Sequence, residues 1–110
     1  MVSHAEMYIA TKAAFDHLLS SNPGKLIVID FTASWCPPCQ FIAPKFEAKA
    51  TELAGQVILK KVDVDANAET AEACGITAMP TFQFYKNGVK LHQIRGADWD
   101  GVCNAITTHK

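Results

Sequence analysis

The order of apolar segments predicts an α/β protein with a central mixed sheet of five strands flanked by four helices. Three observations carry that reading. A near-continuous apolar run at 26–31 has the character of a strand covered on both faces, and 57–64 reads as another central strand. Segments with apolar residues at i, i+3 and i+4 alternate with them, as amphipathic helices do. Asn87-Gly88 stands between two short strand-like runs and predicts a tight hairpin. Alternation with helices implies parallel pairing first, and the closing hairpin adds antiparallel strands.

Glu6 to Ala10 reads as a short first strand. Thr11 can cap a helix whose face is Phe15, Leu18 and Leu19, ended by Asn22-Pro23-Gly24. Leu26 to Phe31 is apolar except for Asp30. A long helix then runs from Cys36 to about Ala54 on an apolar face of Phe41, Ile42, Phe46 and Leu53, with Pro44 inside it as a kink and Gly55 as its stop. Val57 to Val64 is the next strand, Asn67 to Cys74 a short helix, and Thr81 to Tyr85 and Val89 to Ile94 the hairpin strands. Asp98 caps a last helix carrying Trp99, Val102 and Ile106.

The chain has 110 residues, 49% of them hydrophobic, enough for one domain with its own core. A net charge of −1 without a basic cluster argues against a nucleic-acid partner. No apolar stretch reaches the ~18 residues of a membrane span. The N-terminus, Met1-Val2-Ser3-His4, lacks the features of a secretory leader, which points to the cytoplasm. There, close cysteine pairs serve catalysis or metal binding more often than structural bridging.

Such a pair is Trp35-Cys36-Pro37-Pro38-Cys39, placed after a buried strand and at a helix start. A helix N-terminus offers unpaired N–H groups and the positive dipole end, both of which favour a thiolate. With Cys36 as N-cap, Pro37 and Pro38 fall where no intrahelical N–H is needed. Pro38 has no N–H, so the amide of Cys39 is the natural donor to the Cys36 sulfur. Cys36 is thus expected to be the exposed nucleophile and Cys39, one turn inward, the resolving thiol. A zinc site would call for a second pair, and His4, His17, His92 and His109 are scattered without ligand spacing. A structural disulfide across so short a ring would constrain little.

Asp30 lies within an apolar strand, where a carboxylate must be neutral or paired. Apart from a strand-edge position in water, the reading is a buried acid that takes the proton of Cys39. Lys61, entering the next central strand, is its expected charged neighbour.

Together these residues resemble the thioredoxin family. Val28-Ile29-Asp30-Phe31-Thr32-Ala33-Ser34-Trp35-Cys36 is similar to its active-site strand and entry, most of all in plant h-type and other cytosolic eukaryotic members. Pro44 matches its kinking proline, Ala78-Met79-Pro80-Thr81 the loop with a cis proline, and Lys86-Asn87-Gly88 and Arg95-Gly96-Ala97 the last hairpin and the loop after it. The matches run in order over about 8–108. The resemblance implies a thioredoxin fold as one domain over 1–110, with protein-disulfide reductase activity. It places Trp35, the backbone of Met79, Pro80, Gly96 and Ala97 in a substrate groove. It implies no bound cofactor beyond the redox disulfide Cys36–Cys39, and recharging by thioredoxin reductase using NADPH. It also implies disulfide-containing targets such as peroxiredoxins, a monomeric state and a cytoplasmic location. Two departures stand out: Pro37 where glycine is usual, and Gln40 where Lys or Arg is common. Cys74 reads as a partly buried small hydrophobe or a regulatory thiol, and Cys103 as core. The rival readings are a tryparedoxin-like or extracytoplasmic reductase of the same fold, and a non-catalytic binding module.

Overall fold

The computed structural model describes residues 4–110, and of His4 and Ala5 the backbone only. Met1–Ser3, on which the leader-free reading rests, lie outside the described residues. The elements are α1 (His4–Met7), α2 (Lys12–Ser20), β1 (Leu26–Thr32), α3 (Pro37–Glu52), β2 (Val57–Asp63), α4 (Ala68–Ala73), β3 (Thr81–Lys86), β4 (Val89–Arg95) and α5 (Trp99–His109). The strands form one mixed sheet in the order β2-β1-β3-β4. β1 runs parallel to β2 and antiparallel to β3, and β3 pairs antiparallel with β4.

Among the described residues the sheet has four strands, not the five expected. Glu6 and Met7 belong to α1, which leaves too little extended chain for a ladder. What remains is a single parallel bridge, Tyr8 to Lys61, with the Ile9 amide donating to the Lys61 carbonyl at 2.8 Å.

Local chemistry sets the ends of the elements. Thr11 Oγ1 accepts from the Ala14 amide, Asn67 Oδ1 from Thr70 and Asp98 Oδ1 from Gly101, each an N-cap. Asn87 (φ 54°) and Gly88 (φ 77°) both occupy the left-handed region that a two-residue hairpin turn needs.

β1 is buried along its whole length, so its alternating side chains serve two cores. Leu26 and Val28 pack with Phe82, Phe84 and Leu59 beneath Ile42 and Phe46 of α3 and Val102 and Ile106 of α5. Ile27, Ile29 and Phe31 pack with Phe15 of α2, Val62 and Tyr85 on the other face. Truncating Phe46, which is fully buried, to alanine would cost about 3–5 kcal/mol. Phe41 does not join the apolar face expected of it: it is 68% exposed, beneath the Lys45 ammonium. Cys103 is only partly buried and lies outside both cores, because Val102, Ala105 and Ile106 occupy the inner face of α5. Among the described residues no helix is long and apolar enough to cross a membrane.

Candidate active site

β1 delivers the chain through Ala33 and Trp35 to the first turn of α3. Cys36 is the N-cap with extended backbone angles, and Pro37 and Pro38 take the first two helical positions. The Cys39 amide donates to Cys36 Sγ at 3.2 Å, the donor expected once Pro38 is excluded. Cys36 and Cys39 are joined as a disulfide, their Cα atoms 5.2 Å apart. The sulfur pair is more enclosed than expected. Cys36 is 4% exposed rather than open, and Cys39 is fully buried. Ala33, Val64 and Met79 cover them. Gln40, in place of a common cation, donates from Nε2 to the Ala33 carbonyl at 3.0 Å and so braces the loop before Cys36.

The other side of the site is the loop before β3. The Met79–Pro80 peptide is cis, Pro80 is buried, and the Met79 carbonyl oxygen lies 3.8 Å from Cys36 Sγ. The Gly96 amide donates to the Pro80 carbonyl at 2.8 Å. Gly96 has φ +91°, a backbone conformation that suits glycine. Ala97 is exposed beside it. Trp35 is 62% exposed and its indole Nε1 donates to Asp65 Oδ2 at 2.7 Å. Trp35, Met79, Pro80, Gly96 and Ala97, gathered from three separate stretches, thus border the disulfide end of the sheet. Sequence reasoning missed Asp65. A carboxylate just after β2 in a turn carried no signal that an indole 30 positions earlier would bind it.

Asp30 is fully buried, and neither carboxyl oxygen has a hydrogen-bond partner. By the alternation of β1 it belongs with Val28, on the face covered by α3. Burial pushes its carboxyl up to about 7; the Lys61 ammonium opposes this and Glu47 reinforces it. Lys61 pairs with Asp30 in the β1–β2 register, as expected of a neighbour. Its ion pair, however, is with Glu47 Oε2 at 3.2 Å, a partner the sequence did not reveal because α3 and β2 meet only in the fold. Among the described residues no three His, Cys, Asp or Glu side chains are grouped to hold a metal ion.

Away from the disulfide, Cys74 is partly buried, its Sγ 3.9 Å from the Tyr85 hydroxyl. Burial pushes its thiol above the ordinary value. His92 is exposed, and its ring stacks at 5.8 Å on that of His109.

The thioredoxin family model matches residues 6–108. The chain is 52% identical to an H-type thioredoxin of Chlamydomonas reinhardtii, covering 92% of this chain and 91% of that one. It is 53% identical to a thioredoxin of Geodia cydonium, covering 94% and 97%. The crystal structure of Fasciola hepatica thioredoxin superposes with a TM-score of 0.90 at 47% identity, over 94% of this chain and 98% of that one. With a Cys-x-x-Cys disulfide at a helix N-terminus facing a cis-proline loop, and relatives that match it almost end to end, the chain belongs to the thioredoxin family of protein-disulfide reductases.

Proposed function

We propose that Cys36 is the attacking thiolate, Cys39 the resolving thiol and Asp30 the proton acceptor of a protein-disulfide reductase formed by residues 1–110 as one domain. The observation that carries the reading is the cap: the Cys39 amide points at the Cys36 sulfur, at a helix end whose dipole favours negative charge. In the reduced protein the Cys36 thiolate attacks one sulfur of a substrate disulfide. A mixed disulfide forms and the other substrate sulfur leaves as a thiolate, which takes a proton from water. Cys39 then gives its proton to the Asp30 carboxylate, and its sulfur attacks Cys36. The Cys36–Cys39 disulfide forms, the second substrate sulfur leaves as a thiolate, and two electrons have passed to the substrate. Lys61 stabilises the charged form of Asp30.

Trp35, Met79, Pro80, Gly96 and Ala97 border a groove in which the backbone on either side of a substrate cysteine can lie. Thioredoxin reductase, drawing on NADPH, restores the dithiol. Targets include peroxiredoxins; a related structure, at 30% identity, concerns thiol resolution in a yeast mitochondrial 1-Cys peroxiredoxin through glutathione and thioredoxin systems. The protein acts as a monomer in the cytoplasm.

Insulin reduction in the presence of NADPH and thioredoxin reductase tests the activity, and single serine variants test the roles. Cys39→Ser should retain substrate as a covalent mixed disulfide and lose turnover; Cys36→Ser should lose both. Trapping that persists in Cys36→Ser would reverse the assignment.

A further inference from the structure

Lys61 is buried at 3% side-chain exposure, and a buried ammonium requires an anion beside it. Two carboxylates compete for that place: Asp30, opposite it in the β1–β2 register, and Glu47, from the third turn of α3. The ammonium has gone to Glu47. It lies 3.2 Å from Glu47 Oε2 and 5.2 Å from the centre of the Tyr8 ring, while both Asp30 oxygens are left without a hydrogen bond. We propose that Glu47 is a positioning residue which, by holding the Lys61 ammonium out of hydrogen-bonding reach of Asp30, decides how tightly Asp30 keeps its proton. The inference rests on the reading of Asp30 as the acceptor for Cys39.

The groups around Asp30 make this a three-body competition. Among the described residues, the charged or ionisable groups on its side of the sheet are Lys61 and Asp63 from β2, Glu47 from α3, and the Tyr8 phenol from the segment after α1, with the Cys36–Cys39 disulfide at the start of α3. Asp63 Oδ1 already accepts from the Asp65 and Ala66 amides. Phe82 of β3 and Val102 and Ile106 of α5 are apolar. Among the described residues Lys61 is the cation that favours an Asp30 carboxylate, and Glu47 is the anion that opposes it. Glu47 is 36% exposed, so water supports its charge in a way the core cannot support that of Asp30. With the cation committed to Glu47, Asp30 has a positive neighbour but no ion pair. Removing the Glu47 charge frees the ammonium to turn inward, and the Asp30 carboxylate is favoured.

The test is a carboxyl-carbon NMR titration of Asp30 in the oxidised chain, in the parent and in Glu47→Gln, each with and without Lys61→Met. Glu47→Gln should lower the Asp30 midpoint by about 1 or more. In the Lys61→Met background the same change should move it less than half as far, because no cation remains to be repositioned. The pH of half-maximal resolution of the mixed disulfide should fall with the Asp30 midpoint. Equal falls in both backgrounds would show that Glu47 acts by its own charge alone and would overturn the proposal. A parent midpoint near 7 that Glu47→Gln leaves in place would overturn this inference only. A parent midpoint already near the ordinary 3.8 would overturn the acceptor reading and this inference with it.

Discussion

Of the polar side chains buried in the middle strands, Gln83 of β3 and Asp30 of β1 lie on opposite faces of the sheet. Gln83 sits on the α2 side and is fully partnered. Its Nε2 donates to the Cys74 carbonyl at 3.2 Å and to Gln93 Oε1 at 2.8 Å, and its Oε1 accepts from the Tyr85 hydroxyl. Burial pushes the Tyr85 phenol up, so it remains a donor at any working pH. Asp30 sits on the α3 side with no hydrogen-bond partner among the described residues. A satisfied buried network rigidifies a fold, whereas an unsatisfied buried group costs stability and is retained at functional sites. The same sheet thus carries a hydrogen-bonded polar group on one face and one without a hydrogen bond on the other.

Opposite responses to substitution should expose the contrast. Asp30→Asn should stabilise the oxidised fold by about 4 kcal/mol at pH 7, the equivalent of moving a carboxyl from 3.8 to about 7. The sign follows from linkage. A folded-state value above the unfolded one means that the parent has its full stability below about 3.8 and loses it as pH rises to about 7. The gain in Asp30→Asn should therefore be absent near pH 3, grow through that window, and stay level above it. Chemical denaturation from pH 3 to 9 measures it, and a pH-independent difference would break the contrast.

Gln83→Leu should act the other way. It leaves the Tyr85 hydroxyl and the Cys74 carbonyl without their partner, for a loss of about 1–3 kcal/mol. This loss should be level between pH 4 and 9, since no group in the cluster titrates there. Tyr85→Phe removes the hydroxyl that donates to Gln83 Oε1 and contacts Cys74 Sγ, and should cost about 1 kcal/mol. Denaturation at two pH values ranks the two variants. A Gln83→Leu protein as stable as the parent would show that the network contributes nothing.

How far these features could be read in advance depended on the distance over which they are decided. The Cys36 cap and its Cys39 donor followed from four adjacent residues and the missing N–H of Pro38. The Asn87-Gly88 turn and the caps at Thr11 and Asp98 are equally local. Asp30 was legible because a carboxylate among Val28, Ile29 and Phe31 is out of place in any strand. The residues 6–10 failed as a strand because five residues cannot show a period when two of them complete α1. Phe41 was misplaced because its neighbours Ile42 and Phe46 already fill the buried face of α3. Partner choice between elements was invisible: Trp35 with Asp65, Lys61 with Glu47, and Gln83 with Cys74 are brought together only by how one element packs on another. The cis bond at Pro80 came from family resemblance and not from any local feature of Ala78-Met79-Pro80.

The central claim is that the partnerless Asp30 receives the Cys39 proton when the mixed disulfide resolves. The most direct measurement is the rate of that single step against pH, followed by rapid mixing, in the parent and in Asp30→Asn. The parent rate should rise through an inflection near 7 as Asp30 ionises and becomes able to accept. In Asp30→Asn that inflection should vanish, and the step at pH 7 should be slower, rising only where the Cys39 thiol ionises on its own. An inflection near 7 that persists unchanged in Asp30→Asn would contradict the account.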